Sequence, residues 1–287
     1  MFDIIYRYDP AQRVLRQPPA DADEARRRLE EGNREFASLG GPPGAVPTEP
    51  RVVFFDLEDI GIAPAGGAPR QRPFAVVVGC SDARVPLELI FNRACNEMFV
   101  VRVAGPVLGQ EGLGSIDYAV EHLGAGLRLL VVLGHSHCGA VTAAVDAFLS
   151  PVEYLALASS HALRAVINAL LPAVRGAAVA LSWAWGEGVE KQPGYRAALI
   201  EAAIPLNAAL TAAVLQKQFA PATGNLRVVF GMYDLLTRQV GVPLEDPAAL
   251  DREVHLLEPP RDQEGFIRLG AQMARSDRVR RVLGAGR

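Results

Sequence analysis

Apolar residues in this chain fall into short unbroken runs separated by longer stretches of helical period. PFAVVVGC (73–80), MFVVRVAG (98–105), LRLLVVLGH (127–135) and LRVVFGMYDLL (226–236) are rich in β-branched residues and show little polar alternation. Runs of this kind mark strands covered on both faces. Between them, Leu113–Leu123 puts Ile116, Val120 and Leu123 on one side of a helix, and CGAVTAAVDAFL (138–149) is also helical. Strands alternating with helices predict an α/β fold with a mostly parallel central sheet flanked by helices. Thr237–Pro243 is expected to return as an edge strand. Residues 151–220 are rich in alanine and leucine and predict helices, with a loop near Trp185–Gly194.

The ends differ from this body. Residues 1–20 show no period, whereas Asp21 or Asp23 can cap a helix carrying Ala25, Leu29 and Phe36 on one face. Leu39–Pro50 is a Gly/Pro loop. The expected organisation is an N-terminal helical arm (1–50), an α/β catalytic domain (51–245, with the helical segment 151–220) and a C-terminal extension (246–287). The stretch Arg268–Arg287 holds six arginines and one aspartate. A solvated helix with a frayed end is expected there, in preference to an interaction tail.

Composition narrows the function classes. With 287 residues, 50% of them hydrophobic, a single compact chain buries roughly three quarters of its surface and needs no disulfides. Three cysteines cannot form a closed disulfide framework, so they are read as thiols in a reducing compartment. The balance of 29 Lys+Arg against 32 Asp+Glu argues against a general nucleic-acid binder. Charged Asp3, Arg7 and Asp9 interrupt any signal-peptide pattern. The longest uncharged apolar stretches, around Ala202–Gln216 and Gly176–Gly186, fall short of the ~20 residues that span a bilayer. A cytoplasmic protein with no nucleic-acid or membrane partner is therefore expected.

Two cysteines stand where chemistry is expected. Cys80 ends the first apolar run, and Cys138 follows the third by three residues, after His135. The carboxyl ends of parallel strands share one sheet edge, so these three can converge. Two thiolates and an imidazole suit Zn2+, and three protein ligands leave a fourth position open for a water whose pKa drops near ~7. The competing reading is that both cysteines are small buried hydrophobes. On spacing alone His137 competes with His135, and His122, His161 and His255 are ordinary surface or core histidines. Asp82 and Arg84, two residues apart beside Cys80, can form a carboxylate–guanidinium pair.

Taken together, Cys80-Ser-Asp82-Ala-Arg84-Val85-Pro86, Phe99-Val-Val-Arg102-Val-Ala-Gly105, Leu113-Gly-Ser-Ile-Asp-Tyr118 and Gly134-His135-Ser-His-Cys138-Gly139-Ala140 resemble the β-class carbonic anhydrases. Leu29–Phe36, Gln71-Arg-Pro73 and Gly231-Met-Tyr233-Asp234 extend the resemblance. It implies reversible hydration of CO2 to bicarbonate by a zinc-bound hydroxide, with Cys80, His135 and Cys138 as ligands in preference to His137. It also implies Asp82 and Arg84 as a catalytic dyad. Gln71, often acting across a dimer interface, would hold substrate with Gly139, and Phe99 and Tyr118 would line the CO2 pocket. A homodimer or higher assembly follows, with the N-terminal helix wrapping a partner, and His122 is a candidate proton relay. Val77 stands where one branch of the family carries a tryptophan for regulatory bicarbonate, so no such switch is expected. The turn Ala94-Cys95-Asn96-Glu97 departs from the family pattern, and Cys95 is expected to be free. The rival readings are hydrolysis of CS2 or carbonyl sulfide on the same fold, and a non-catalytic zinc-stabilised scaffold.

Overall fold

Each of the four apolar runs forms a strand, trimmed at its ends. The computed structural model describes residues 4–9, 17–39, 51–62, 67–156, 160–224, 226–243 and 255–284. In chain order the elements begin with β1 (Ile4–Arg7), α1 (Ala22–Ser38) and β2 (Arg51–Phe54). Next come β3 (Ala75–Gly79), α2 (Leu87–Ile90), β4 (Met98–Arg102), α3 (Gln110–Leu123), β5 (Leu129–His135) and α4 (Gly139–Leu149). The remainder is α5 (Pro151–Ala156), α6 (His161–Trp185), α7 (Tyr195–Thr223), β6 (Arg227–Tyr233), β7 (Val240–Gly241), α8 (Gln263–Ala274) and α9 (Asp277–Gly284). The Gly/Pro stretch 40–50 and the expected boundary at 245/246 lie outside the described residues.

The central sheet has the order β4-β3-β5-β6-β7, parallel except for the short return of β7. Its two faces feed separate cores. Val76, Val78, Leu130, Val132, Val228 and Phe230 point into a large core with helices α3, α4 and α6–α9. Val77, Leu129, Val131, Leu133 and Val229 point to the opposite side, where α1, α2 and Leu256 cover them. This two-sided burial is why the strands read as continuous apolar runs.

Helix α1 starts at Asp21, whose carboxylate accepts the Glu24 N–H at 2.8 Å. Its buried residues Ala22, Ala25 and Leu29 pack on the chain's own sheet layer. Asn33 bridges three elements: its amide donates to the carbonyls of Ile90 (3.1 Å) and Arg238 (3.0 Å), and its oxygen accepts the Val240 N–H at 2.7 Å. Gly32 lets the helix come this close, because a Cβ there would lie 1.9 Å from the Phe91 carbonyl oxygen.

Three expectations are corrected. Residues 4–7, which show no sequence period, form β1 and pair in parallel with β2 in a separate two-stranded sheet. A four-residue strand whose partner lies over forty residues away leaves too short a pattern to read locally. Second, α6 and α7 are each long and apolar enough to cross a bilayer by length and composition, which the count of uncharged runs did not show, because a few scattered charges break the runs while the mean hydropathy stays high. Most of the apolar window of α7 is buried in the protein, and less than half of that of α6.

Third, the arginine-rich end is not a solvated helix. Leu269, Met273, Val279 and Leu283 are buried in the large core. The Trp185 indole N–H donates to the Ala274 carbonyl at 2.8 Å. Arg278 donates to Glu201 and to Asp234, each at 2.6 Å, with all three side chains less than one fifth exposed. Counting charges missed this because the partners lie far upstream in sequence.

Two outcomes follow from this packing. Gly32→Ala forces α1 away from Phe91 and is expected to lower the unfolding free energy by about 1–3 kcal/mol in urea titrations. An unchanged midpoint would show that the contact gives way freely. Asp234 supplies a pH test. Burial raises its pKa, but the Leu236 N–H and the Arg278 guanidinium outweigh burial and hold it below the usual carboxylate value. Folding therefore favours its charged form, a stabilisation complete above the unfolded-state pKa and lost as pH falls through the lowered folded-state value. The stability difference between wild type and Asp234→Asn is expected to be widest near neutral pH and to close under acid. A difference constant with pH would contradict the ion pairing.

Candidate metal centre

β3 and β5 are neighbours with Gly79 opposite Leu133, so the residue after β3, Cys80, leaves the sheet beside the last residues of β5. The strand order also reverses here, since β4 and β5 lie on opposite sides of β3. Helix α2 crosses on one face and α3 on the other, which opens a crevice at the carboxyl ends of the strands. Beyond His135 the chain reverses tightly through His137, whose φ of 56° is left-handed. The reversal returns Cys138 to the sheet edge as N-cap of α4.

Cys80, His135 and Cys138 are all buried, with ligand atoms within 4.8 Å of one another. His137, the competing histidine, is exposed. His135 Nδ1 lies 2.9 Å from the Ser136 carbonyl oxygen. The tautomer that satisfies that carbonyl carries its hydrogen on Nδ1 and leaves a lone pair on Nε2. Among the described residues, this buried Nε2 has no hydrogen-bond partner. A buried acceptor without a donor is costly, and a cation between it and the two sulfurs removes that cost.

The sulfurs point the same way. The Cys80 pKa is held below the ordinary thiol value, chiefly because the Cys138 thiol donates to its sulfur, with the N–H groups of Gly105 and Asp82 also contributing against the effect of burial. Gly105 reaches this position with φ +63°, in the region that glycine tolerates best. The same sulfur–sulfur hydrogen bond, together with burial, pushes the Cys138 thiol up, although the Val141 and Ala140 N–H groups in the first turn of α4 oppose it. A divalent cation bound by both sulfurs would take the place of a proton between them. Two thiolates and an imidazole fit Zn2+.

Asp82 borders this cluster, with Oδ2 3.9 Å from His135 Nε2. Both of its carboxylate oxygens are held by Arg84: Oδ1 accepts from the backbone N–H (2.9 Å) and Nε (3.0 Å), and Oδ2 from Nη2 (2.7 Å), which leaves one acceptor site on Oδ2. These bonds hold its pKa well below the usual carboxylate range. At neutral pH it is a fixed acceptor that has no proton to give. Arg102, at the end of β4, clamps the same loop by donating to the carbonyls of Cys80 (3.1 Å) and Asp82 (2.6 Å). The sequence motif contains Arg102, but only the register Gly79 opposite Arg102 reveals its task.

Of the remaining expected site residues, Gly139 adjoins the cluster as the residue after Cys138, whereas Gln71, Phe99 and Tyr118 lie away from it within this chain. Gln71, Tyr118 and His122 line a cavity of about 650 Å³ together with Arg28, Arg72 and Glu97. Phe99 lies 6.5 Å, ring to ring, from Tyr118. It pairs with Val76, four residues before Cys80, or about 13 Å back along the strand. Tyr118 is 46% exposed and its ring is 4.7 Å from that of His122. Gly139 opens α4 with open space around it. Cys95 is exposed in its turn, apart from the cluster.

Residues 75–240 match the family model for carbonic anhydrase. The chain is 53% identical over 83 residues to carbonic anhydrase 2 of Mycobacterium tuberculosis (strain ATCC 25618 / H37Rv), covering 29% of this chain and 39% of that protein. It is 44% identical over 82 residues to the carbonic anhydrase of Pseudomonas aeruginosa, covering 26% and 36%. The chain thus spans about two fifths of the length of these curated relatives. Among solved structures, it is similar to the Coccomyxa β-carbonic anhydrase in complex with acetazolamide, at 21% identity and a TM-score of 0.49, covering 84% of this chain and 96% of that one. The β-carbonic anhydrase CafA of Aspergillus fumigatus is 18% identical with a TM-score of 0.48, covering 69% and 82%. The family match takes in more than half of the chain and every residue of the buried cluster: this chain belongs to the β-class carbonic anhydrase family.

Proposed function

We propose that this protein catalyses the reversible hydration of CO2 to bicarbonate and a proton, with Zn2+ held by Cys80, His135 and Cys138. The observation that carries this reading is the unpartnered His135 Nε2 in a buried Cys-His-Cys set, bordered by a carboxylate that Arg84 keeps ionised near neutral pH. Zinc in that set supplies the Lewis acidity that makes water a nucleophile near neutral pH. Asp82, kept ionised by Arg84, accepts a hydrogen bond from the attacking water and so aims its lone pair at the carbon of CO2. Arg102 fixes the backbone on which Asp82 stands. The water oxygen bonds to carbon, one C=O electron pair moves onto oxygen, and one proton leaves to solvent, with no change of oxidation state. The free thiols support a cytoplasmic location.

Gln71, Phe99 and Tyr118 complete the site of a second copy in this reading. Their support is the exposed cavity that Gln71 and Tyr118 line away from their own chain's cluster, with Phe99 beside Tyr118, together with the family resemblance. Each site of a homodimer then takes its metal ligands from one chain and its substrate-holding residues from the other.

Stopped-flow CO2 hydration is expected to show turnover that Cys80→Ser abolishes and Asp82→Asn lowers roughly 10–100-fold. Wild-type turnover no faster than that of Cys80→Ser would refute the reading, and sulfide release from CS2 would then point to the rival substrate. Mixing inactive Cys80→Ser chains with Gln71→Ala chains tests the shared site. Half of the sites in a mixed dimer regain both contributions, so activity above the sum of the parents is expected. No recovery after confirmed subunit exchange would place Gln71 in its own chain's site.

A further inference from the structure

The C-terminal helix α9 reaches the back of the metal centre. Ser136, next to the ligand His135, is fully buried and held at three atoms. Its N–H donates to the Tyr233 carbonyl at 2.9 Å. Its hydroxyl donates to Asp234 Oδ1 at 3.2 Å and accepts the Leu235 N–H at 2.9 Å. Its own carbonyl is the group against which His135 Nδ1 is set. The orientation of the ligand ring therefore depends on the Ser136 peptide, and the Ser136 side chain depends on Asp234.

Asp234 has two further supports. Oδ1 accepts the Leu236 N–H at 2.9 Å, and Oδ2 takes Arg278 Nη1 at 2.6 Å. Arg278 is itself fixed by Glu201 of α7, and the buried neighbours Val279 and Leu283 pin its helix to the core. An arginine this enclosed pays heavily for desolvation unless fully paired. Two carboxylates, one of them directed at the metal loop, supply that pairing.

We propose that Arg278 is a positioning residue for the metal centre, acting through Asp234 and Ser136 to hold the His135 ring with Nε2 toward the cysteines. The inference rests on the zinc reading above and extends it to the C-terminal helix. Hydrogen-bond partners behind a ligating histidine tune metal affinity, and a partner whose effect must pass through an intervening carboxylate and serine does so by geometry rather than by contact.

The test uses the full chain with Zn2+ as ligand. Affinity is read by chelator competition, and ligand geometry by the visible absorption of the Co2+-substituted protein. In Arg278→Met the Zn2+ dissociation constant is expected to rise about 10-fold and the Co2+ bands to shift. Arg278→Lys, which keeps one charged donor, is expected to recover part of the loss. In a Ser136→Ala background the same Arg278→Met change is expected to have little further effect, because the relay is already cut. An unchanged Zn2+ affinity and Co2+ spectrum in folded Arg278→Met overturns the proposal. So does an equal loss with and without Ser136, which is the mark of a merely structural role. If Arg278→Met does not fold, Asp234→Asn takes its place in the same cycle, since it keeps shape and leaves the Arg278–Glu201 pair intact. The readout is metal binding and not turnover, so failure of the CO2 reading registers separately, as wild type that binds Zn2+ without hydrating CO2.

Discussion

The whole centre depends on one register. Because Gly79 of β3 lies opposite Leu133 of β5, the first residue to leave one strand meets the last residues of the other. A shift of one residue would turn either Cys80 or His135 to the wrong face, since strand side chains alternate. The two cores hold that register from both sides, with Val78 and Val132 locked into one and Val77 and Leu133 into the other. Packing far from the chemistry thereby sets the distances within it.

Around that fixed point, charge is arranged in layers. The innermost layer is built of acceptors: the sulfurs of Cys80 and Cys138, a lone pair on His135 Nε2 and the Asp82 carboxylate border one small volume. Arg84 and Arg102 surround this layer without entering it, the first on the carboxylate and the second on two carbonyls. Concentrated negative charge in a buried site is unstable alone. The arrangement makes a cation part of the folded structure rather than an accessory to it.

Much of this was legible in the sequence, for reasons specific to each part. The buried strands showed themselves because both faces are covered, and the Cys-His-Cys set because strand ends gather at one edge. The choice of His135 over His137 was not legible from spacing, since it turns on a left-handed residue in a three-residue reversal. The family resemblance supplied it instead. Arg278 read as one of several surface arginines because its partners, Glu201 and Asp234, lie 77 and 44 residues away. Gln71 and Tyr118 matched the motif but lie away from their own chain's cluster. Their distance follows from where their segments meet the sheet, which the motif alone does not state.

The placement of α9 also orders events in time. Arg278 lies 140 residues downstream of Cys138, and synthesis proceeds from the amino terminus at about 5–20 residues per second. The three ligands emerge from the ribosome some seconds before the helix that steadies one of them. Under the proposal above, the ligand set is therefore complete in the growing chain before the residue that steadies it, and the last-made helix is the part that finishes the centre.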